Sequence, residues 1–188
     1  MTQKNLPQFP VGPFDFFALD VETANSARAS ICQIGVAGVR ADRSIETWVT
    51  YVDPQTTDWS CTRILGITQS MVHQAPRLPE VLGLLGQQLE NRIIYQHSGF
   101  DRSAIQAGCT LYGIDMPDWS WADSVQVARR AWPELRGYGG HGLASLKEAL
   151  GLSFRHHDAG EDARAAAMVV IKAEEVWTSA QPLPHRKV

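Results

Sequence analysis

The spacing of apolar and polar positions predicts an α/β domain organised around one buried strand. Residues 16–19 form a continuous apolar run, which is typical of a strand covered on both faces. Two β-prone stretches follow across short turns and predict an antiparallel meander, and two short strands then alternate with helical spacing. The later strands are predicted at 31–40, 45–52, 92–96 and 119–122, and the helices at 68–72, 78–90, 100–112, 123–131, 143–150 and 160–177. This order predicts a mixed five-stranded sheet flanked by helices.

The two ends of the chain and one internal stretch lack this periodicity. Residues 1–13 are predicted to be a loose arm, residues 14–178 the folded domain, and residues 179–188 a C-terminal tail. Residues 133–142 are rich in glycine and are predicted to be mobile. A length of 188 residues also favours a single domain with a substantial core.

Composition narrows the class of protein. The chain is 44% hydrophobic and 20% charged, as is ordinary for a soluble globular protein, and no apolar stretch approaches the roughly 20 residues of a membrane span. Because it has three scattered cysteines and no secretory signal pattern, we expect a reducing, cytoplasmic setting. A net charge of −3 argues against a broad basic surface that binds long duplexes. It permits local binding of nucleic acid that is assisted by metal ions.

Acidic residues mark where chemistry could occur. Asp20 and Glu22 stand two residues apart at the carboxyl end of the first strand, so both side chains point to one face. Like charges held together favour a bound divalent cation, although a solvated polar strand end is the alternative. Asp101 and Asp162 lie in the first turns of two later helices, where acids also simply complement the helix dipole. His157, five residues before Asp162, is by itself more often a surface histidine than a catalyst.

Taken together, these residues form a more specific pattern. The chain resembles the DEDDh group of 3′–5′ exonucleases, the DnaQ-like family, whose members carry three such motifs in this order. The matching residues are Asp20 and Glu22, then Phe100 and Asp101, then His157 and Asp162. The resemblance covers residues 14–172 and implies an RNase H-like fold of three layers. It also implies similarity to the epsilon proofreading subunit of DNA polymerase III.

The chemistry of phosphodiester hydrolysis explains these residue types. Two divalent cations, Mg²⁺ or Mn²⁺, about 4 Å apart can activate the attacking water and stabilise the phosphorus and the leaving oxygen. Such hard cations prefer oxygen ligands. The predicted ligands are the carboxylates of Asp20, Glu22, Asp101 and Asp162. A neutral His157 close to the attacking water is the candidate general base, whereas the adjacent His156 has no predicted role.

The resemblance further implies contacts to the terminal nucleotide. The residues at these positions are Thr23, Ile64, Leu65, His97 and Phe100. For Ile64 and Leu65, plain core packing is an equally good interpretation. Family members often have His-Asn shortly before Phe-Asp and a histidine before Gly-Ile, whereas this chain has Gln96 and His97 at the first place and Leu65 at the second. Both departures bear on nucleotide preference rather than on the metal ligands.

The predicted function is a metal-dependent 3′–5′ exonuclease that acts on single-stranded DNA or RNA and releases 5′-mononucleotides. Two alternatives stay open, a phosphodiesterase for small nucleotides and a catalytically silent nucleic-acid-binding or proofreading partner module. The expected partners are single-stranded 3′ ends, with a homodimer or polymerase association left open and no membrane. Four tryptophans would either form an oligomer interface or fill the core. They are Trp59, Trp119, Trp121 and Trp132.

Overall fold

The fold is given by a computed structural model, which describes residues 6–137 and 139–179. Its strands are β1 (Phe16–Thr23), β2 (Ile31–Val39), β3 (Ile45–Tyr51), β4 (Ile93–Gln96) and β5 (Ser120–Asp123). Its helices are α1 (Thr62–Leu65), α2 (Gln69–Val72), α3 (Leu78–Gln88), α4 (Phe100–Tyr112), α5 (Ser124–Ala131), α6 (Leu143–Leu150) and α7 (Ala159–Ser179), with a 3-10 turn at Pro133–Gly137. The bounds of the five strands and of α2 to α7 lie within a few residues of those predicted, whereas α1 and the 3-10 turn were not predicted as helices.

The strands form one mixed sheet in the order β3-β2-β1-β4-β5. Strand β2 pairs antiparallel with both β1 and β3, as the short turns of the meander require. Strand β4 pairs parallel with β1, and β5 pairs parallel with β4, because helices α3 and α4 carry the chain back between them. The prediction of a mixed five-stranded sheet flanked by helices is therefore confirmed.

Strand β1 lies at the centre of the sheet and is buried on both faces. Phe17 and Leu19 belong to the larger apolar cluster, which includes residues of α3 and α4. Phe16 and Ala18 point to the opposite face and pack against α7. Since alternate residues of a strand share a face, the next even-numbered positions, Asp20 and Glu22, also lie on the side of α7.

The described part of the amino-terminal arm is attached to the core. The ring of Phe9 is buried, with centroids 6.1 Å from Phe17 and 5.7 Å from Trp48. The indole of Trp48 donates a hydrogen bond to the Pro7 carbonyl at 3.0 Å. The prediction of a loose arm over residues 1–13 is thus wrong for residues 6–13, because an apolar side chain anchors them. Residues 1–5 of that arm and residues 180–188 of the predicted tail lie outside the described residues.

Several smaller expectations are also resolved. Trp119 is buried in the core, and the other three tryptophans are partly buried against apolar clusters, which favours the core interpretation. The described part of the glycine-rich stretch is held by hydrogen bonds, among them one from Ser145 Oγ to the Gly139 carbonyl at 2.8 Å. Asp123 accepts a hydrogen bond from the backbone of Val125 and so caps α5. Within the described residues, no helix combines the length and apolar character needed to cross a membrane.

Candidate active site

The first turn of α7 packs directly on strand β2, and this contact builds the site. Gly35 pairs with Asp20 across the sheet, and a Cβ atom at Gly35 would lie 2.1 Å from the carbonyl oxygen of Ala159. Only glycine permits the helix backbone to approach so closely. Two residue pairs along, Gln33 pairs with Glu22, and its side-chain oxygen accepts a hydrogen bond from the Ala159 backbone nitrogen at 3.0 Å. The helix therefore begins directly beside the two strand carboxylates.

Four carboxyl groups meet at this end of the sheet. Oxygen atoms of Asp20, Glu22 and Asp162 lie within 4.8 Å of one another, and only 5% of the Asp162 side chain is exposed. Asp101, in the first turn of α4, is also buried, and its Oδ1 accepts a hydrogen bond from the Val21 backbone nitrogen at 3.1 Å. All four carboxyl groups line one open cavity of about 350 Å³. The structure thus brings together the four acids that the sequence singled out.

The crowding of these acids disfavours their charged forms. Burial, followed by the charges of Asp162 and Asp101, raises the pKa of Glu22 from 4.5 to about 8. Burial outweighs the hydrogen bond from Val21 and raises the pKa of Asp101 to about 7. Burial and then the charge of Asp101 raise the pKa of Asp20 well above its ordinary value. Positive charge in the cavity would relieve this repulsion.

The donor set fits divalent cations of the hard class. The converging ligand atoms of Asp20, Glu22 and Asp162 are all carboxylate oxygens, which Mg²⁺ and Mn²⁺ prefer. Carboxyl pKa values rise when several acids lie together and too few basic groups of the protein neutralise them. A bound cation would supply the missing positive charge. Asp101 lies close enough to raise the pKa of Glu22 and is the fourth candidate ligand.

The two adjacent histidines lie at the mouth of this cavity with different contacts. His156 Nδ1 is 3.0 Å and 3.1 Å from the two carboxylate oxygens of Asp162. His157 contacts the same carboxylate through its backbone nitrogen, which donates to Oδ2 at 2.9 Å. The two rings are stacked, with centroids 4.6 Å apart and planes 7° from parallel. In the part of the chain that the structure describes, the ring nitrogens of His157 make no hydrogen bond, so its imidazole is open to an incoming group.

His97 lines the cavity but is held by the protein on both sides of its ring. Nε2 lies 2.9 Å from the His141 carbonyl, and Nδ1 lies 2.9 Å from the Ser124 hydroxyl. Because a carbonyl oxygen only accepts, Nε2 carries the proton. Burial lowers the pKa of His97, which favours this neutral form. The predicted substrate residue therefore also ties the glycine-rich stretch to the end of β4.

The other predicted substrate residues lie in different surroundings. Phe100 lines the cavity and is 37% exposed, with the Arg28 guanidinium 4.7 Å from its ring centroid. Leu65 lines a neighbouring cavity of about 200 Å³ that His157 also lines. Ile64 is 62% exposed, so core packing does not explain it. Thr23 is buried where the pairing register of β1 shifts.

Sequence reasoning missed several residues that position the site. The strand prediction gives Gly35 and Gln33 no separate role, although a glycine and a polar residue inside an apolar strand are signals of close backbone approach and a specific partner. Asp158 accepts hydrogen bonds from the backbone nitrogens of Gly160 and Glu161, and so fixes the start of α7. The contact of His156 with Asp162 gives no sequence signal, because it depends on how the preceding loop turns.

The fold and the carboxylate cluster together define a nuclease of the RNase H-like type. The RNase_T exonuclease family model matches residues 17–170, and the chain belongs to this family. The DNA polymerase III PolC-type protein of Caldanaerobacter subterraneus subsp. tengcongensis is 30% identical over 165 residues, which make up 86% of this chain and 12% of that protein. The chain thus spans about an eighth of the length of this relative.

Solved structures of nucleases share the fold. The nuclease domain of 3′hExo, a DEDDh family member bound to rAMP, matches with a TM-score of 0.74 at 18% identity, covering 93% of this chain and 98% of that one. Exonuclease X in complex with 5′ overhanging duplex DNA matches with a TM-score of 0.69 at 20% identity, covering 89% of this chain and 94% of that one. The predicted fold is confirmed by these neighbours, and the predicted class, an exonuclease, is confirmed by the family match. Divalent metal binding is typical of this family.

Proposed function

We propose that this chain removes 5′-mononucleotides from the 3′ ends of single-stranded nucleic acid in a reaction that requires divalent cations. The observation that carries the proposal is the convergence of Asp20, Glu22 and Asp162 within 4.8 Å, beside the buried Asp101. A purely structural polar cluster would pair its acids with basic side chains. Here, within the described residues, the basic side chain that contacts these four acids is His156, at Asp162.

The four carboxylates would hold two cations, Mg²⁺ or Mn²⁺. When bound, the cations supply Lewis acidity to the attacking water and neutralise charge on the phosphate and the leaving oxygen. The ligands would approach the cations from three elements of the fold. Asp20 and Glu22 extend from β1, Asp101 from α4 and Asp162 from α7. These rigid elements keep the ligands in place before substrate arrives, which is what efficient charge stabilisation requires.

His157 would take the proton from the attacking water. Its ring is exposed at the cavity, and its backbone has a φ of 66°, an uncommon conformation for a residue with a side chain. The hydrogen bond from its backbone nitrogen to Asp162 supports this turn of the loop. The general base is thus tied to a ligand carboxylate, while its ring stays free to rotate toward the substrate.

The terminal nucleotide would lie across the two adjoining cavities. Phe100 is partly exposed at the first, and Leu65 and Met71 lie among mainly polar groups at the second. The Arg28 guanidinium over Phe100 adds a positive charge at the rim, which suits a phosphate of the incoming strand.

The PolC-type relative supports a further proposal, that the chain works in association with a polymerase. Its three free thiols support a reducing, cytoplasmic setting.

The test is a matched set of DNA and RNA oligonucleotides, labelled at either end and incubated with Mg²⁺ or Mn²⁺. The proposal predicts a ladder that shortens from the 3′ end of 5′-labelled strands, and release of labelled mononucleotide from 3′-labelled strands. Hydrolysis of small nucleotide diesters without shortening of oligonucleotides would favour a phosphodiesterase. Binding without hydrolysis under every metal condition would favour a silent module.

A further inference from the structure

Two overlapping sets of metal donors share the carboxylate of Asp162. The first set is formed by oxygen atoms alone, from Asp20, Glu22 and Asp162. The second set combines the imidazoles of His156 and His157 with Asp162, and its ligand atoms also lie within 4.8 Å of one another. The two sets differ in chemistry, because nitrogen-rich sites favour Zn²⁺ and neighbouring transition metals whereas oxygen sites favour Mg²⁺ and Mn²⁺.

The histidine set needs little rearrangement to hold a cation. His156 Nδ1 already faces both oxygens of Asp162, at 3.0 Å and 3.1 Å, and so lies beside the position a cation would occupy. A ring nitrogen of His157 lies within 4.8 Å of the other two ligand atoms. Because its ring is stacked on that of His156, its side chain has to rotate to turn the nitrogen lone pair toward the same point. Both histidines are exposed, which lets a hydrated cation reach them, and Asp162 is fixed in the first turn of α7.

We infer that His156, His157 and Asp162 form an inhibitory site for Zn²⁺ or a related transition-metal cation, separate in its donor chemistry from the oxygen site. Three protein ligands with a fourth position left to water are a common arrangement for zinc. The inference rests on the proposed function, since what it inhibits is the exonuclease reaction. Occupation of this site would remove the proposed general base and withdraw Asp162 from the oxygen ligands.

Competition between the two sites follows from the shared ligand. A cation held by the two histidines and Asp162 would leave Asp20, Glu22 and Asp101 without the carboxylate that completes their set. Zinc would therefore inhibit at concentrations far below the magnesium concentrations that support the reaction. Added magnesium would relieve the inhibition only in part, because it does not displace zinc from imidazole. His156 distinguishes the two sites, since it belongs to the second set and not to the first.

Direct binding is tested with Co²⁺, whose visible absorption reports nitrogen ligands and a low coordination number. The metal-free full chain should give this absorption with one equivalent of Co²⁺, and Zn²⁺ should remove it by displacement. His156→Gln should abolish the signal, whereas Glu22→Gln should keep it, because Glu22 serves only the oxygen set. His73→Gln, which removes an exposed histidine on another element, is the matched control. Equal signals from the parent and the His156 variant would overturn the inference.

Inhibition is measured in the same variants as the zinc concentration that halves each variant's own magnesium-dependent rate. This concentration should be at least tenfold higher for His156→Gln than for the parent or His73→Gln. An unchanged zinc sensitivity in the His156 variant would refute the inhibitory site while leaving the exonuclease function intact. If no variant shortens oligonucleotides with magnesium, the proposed function fails instead, and the Co²⁺ spectrum still decides whether the metal site exists.

Discussion

Substituting Gly35 by alanine should damage catalysis without touching any of the acids or histidines of the site. The new Cβ would lie 2.1 Å from the Ala159 carbonyl oxygen and 2.4 Å from the Gly160 nitrogen, where ordinary contact begins at 3.4 Å. Because these are backbone atoms of α7, the start of the helix has to retreat by about 1 Å in a close-packed interior. Asp162 lies in that first turn and moves with it. Misplacement of about 1 Å costs on the order of 100-fold in rate, and overpacking costs about 1–3 kcal/mol of stability.

Gly38→Ala is the matched control on the same strand. Its Cβ would lie 2.7 Å from a Phe14 ring atom, so it also overpacks, but it contacts aromatic side chains in place of α7. Turnover and its dependence on Mg²⁺ concentration should be measured well below the midpoint of thermal unfolding of both variants. We expect Gly35→Ala to lose about 100-fold in rate and to require more magnesium, and Gly38→Ala to keep close to the parent rate. Parental turnover in folded Gly35→Ala, or an equal loss in both variants, would refute the proposed role of this contact.

The remaining predictions concern the acids and the histidines. Asp101→Ala should abolish cleavage while the fold survives, because the other carboxylates hold too little charge for two cations; full activity at several magnesium concentrations would argue against it. The metal-free protein should lose stability as the pH rises from about 4.5 to 8, and the midpoint of thermal unfolding measures this loss. The pKa of the Glu22 carboxyl is raised from 4.5 to about 8 in the folded chain. The folded state is therefore most stable below pH 4.5, and this stability is lost as the pH approaches the pKa of the folded group. Stability that rises over this range would contradict the raised pKa. His157→Ala should lower the single-turnover rate by roughly 100- to 10,000-fold, with a much smaller effect of His156→Ala, and the reverse order would show that His156 is the base.

The sheet was predictable because its signals are local. The apolar run of β1, the short turns of the meander and the helical spacing of α3 and α7 each follow from residues close together in the chain. The amino-terminal arm was not predictable, since Leu6 and Phe9 stand among prolines without a helical or strand period, and the burial of Phe9 depends on its contacts with Trp48 and Phe17. Periodicity cannot reveal an anchor made of isolated side chains.

In the candidate site, too, local patterns were predictable and tertiary contacts were not. Asp20 and Glu22 could be placed on one face because strand alternation fixes their direction. The approach of α7 to Gly35 joins residues that are more than 100 positions apart, and only the folded chain reveals it. Likewise, spacing to Asp162 selects His157 as the base, but it does not show that the ring of His156 contacts that carboxylate. Local patterns predict which residues carry the chemistry, whereas tertiary packing decides how they are held.

We propose that the four converging carboxylates support removal of nucleotides from a free 3′ end. The most direct measurement compares a 5′-labelled linear single strand with a circular strand of the same sequence, in Mg²⁺, for the parent and for Asp20→Ala. We expect a ladder of shortened products from the linear strand with the parent, no product from the circle, and no product from either strand with the variant. Internal cuts in the circle, or an undiminished ladder with Asp20→Ala, would contradict it.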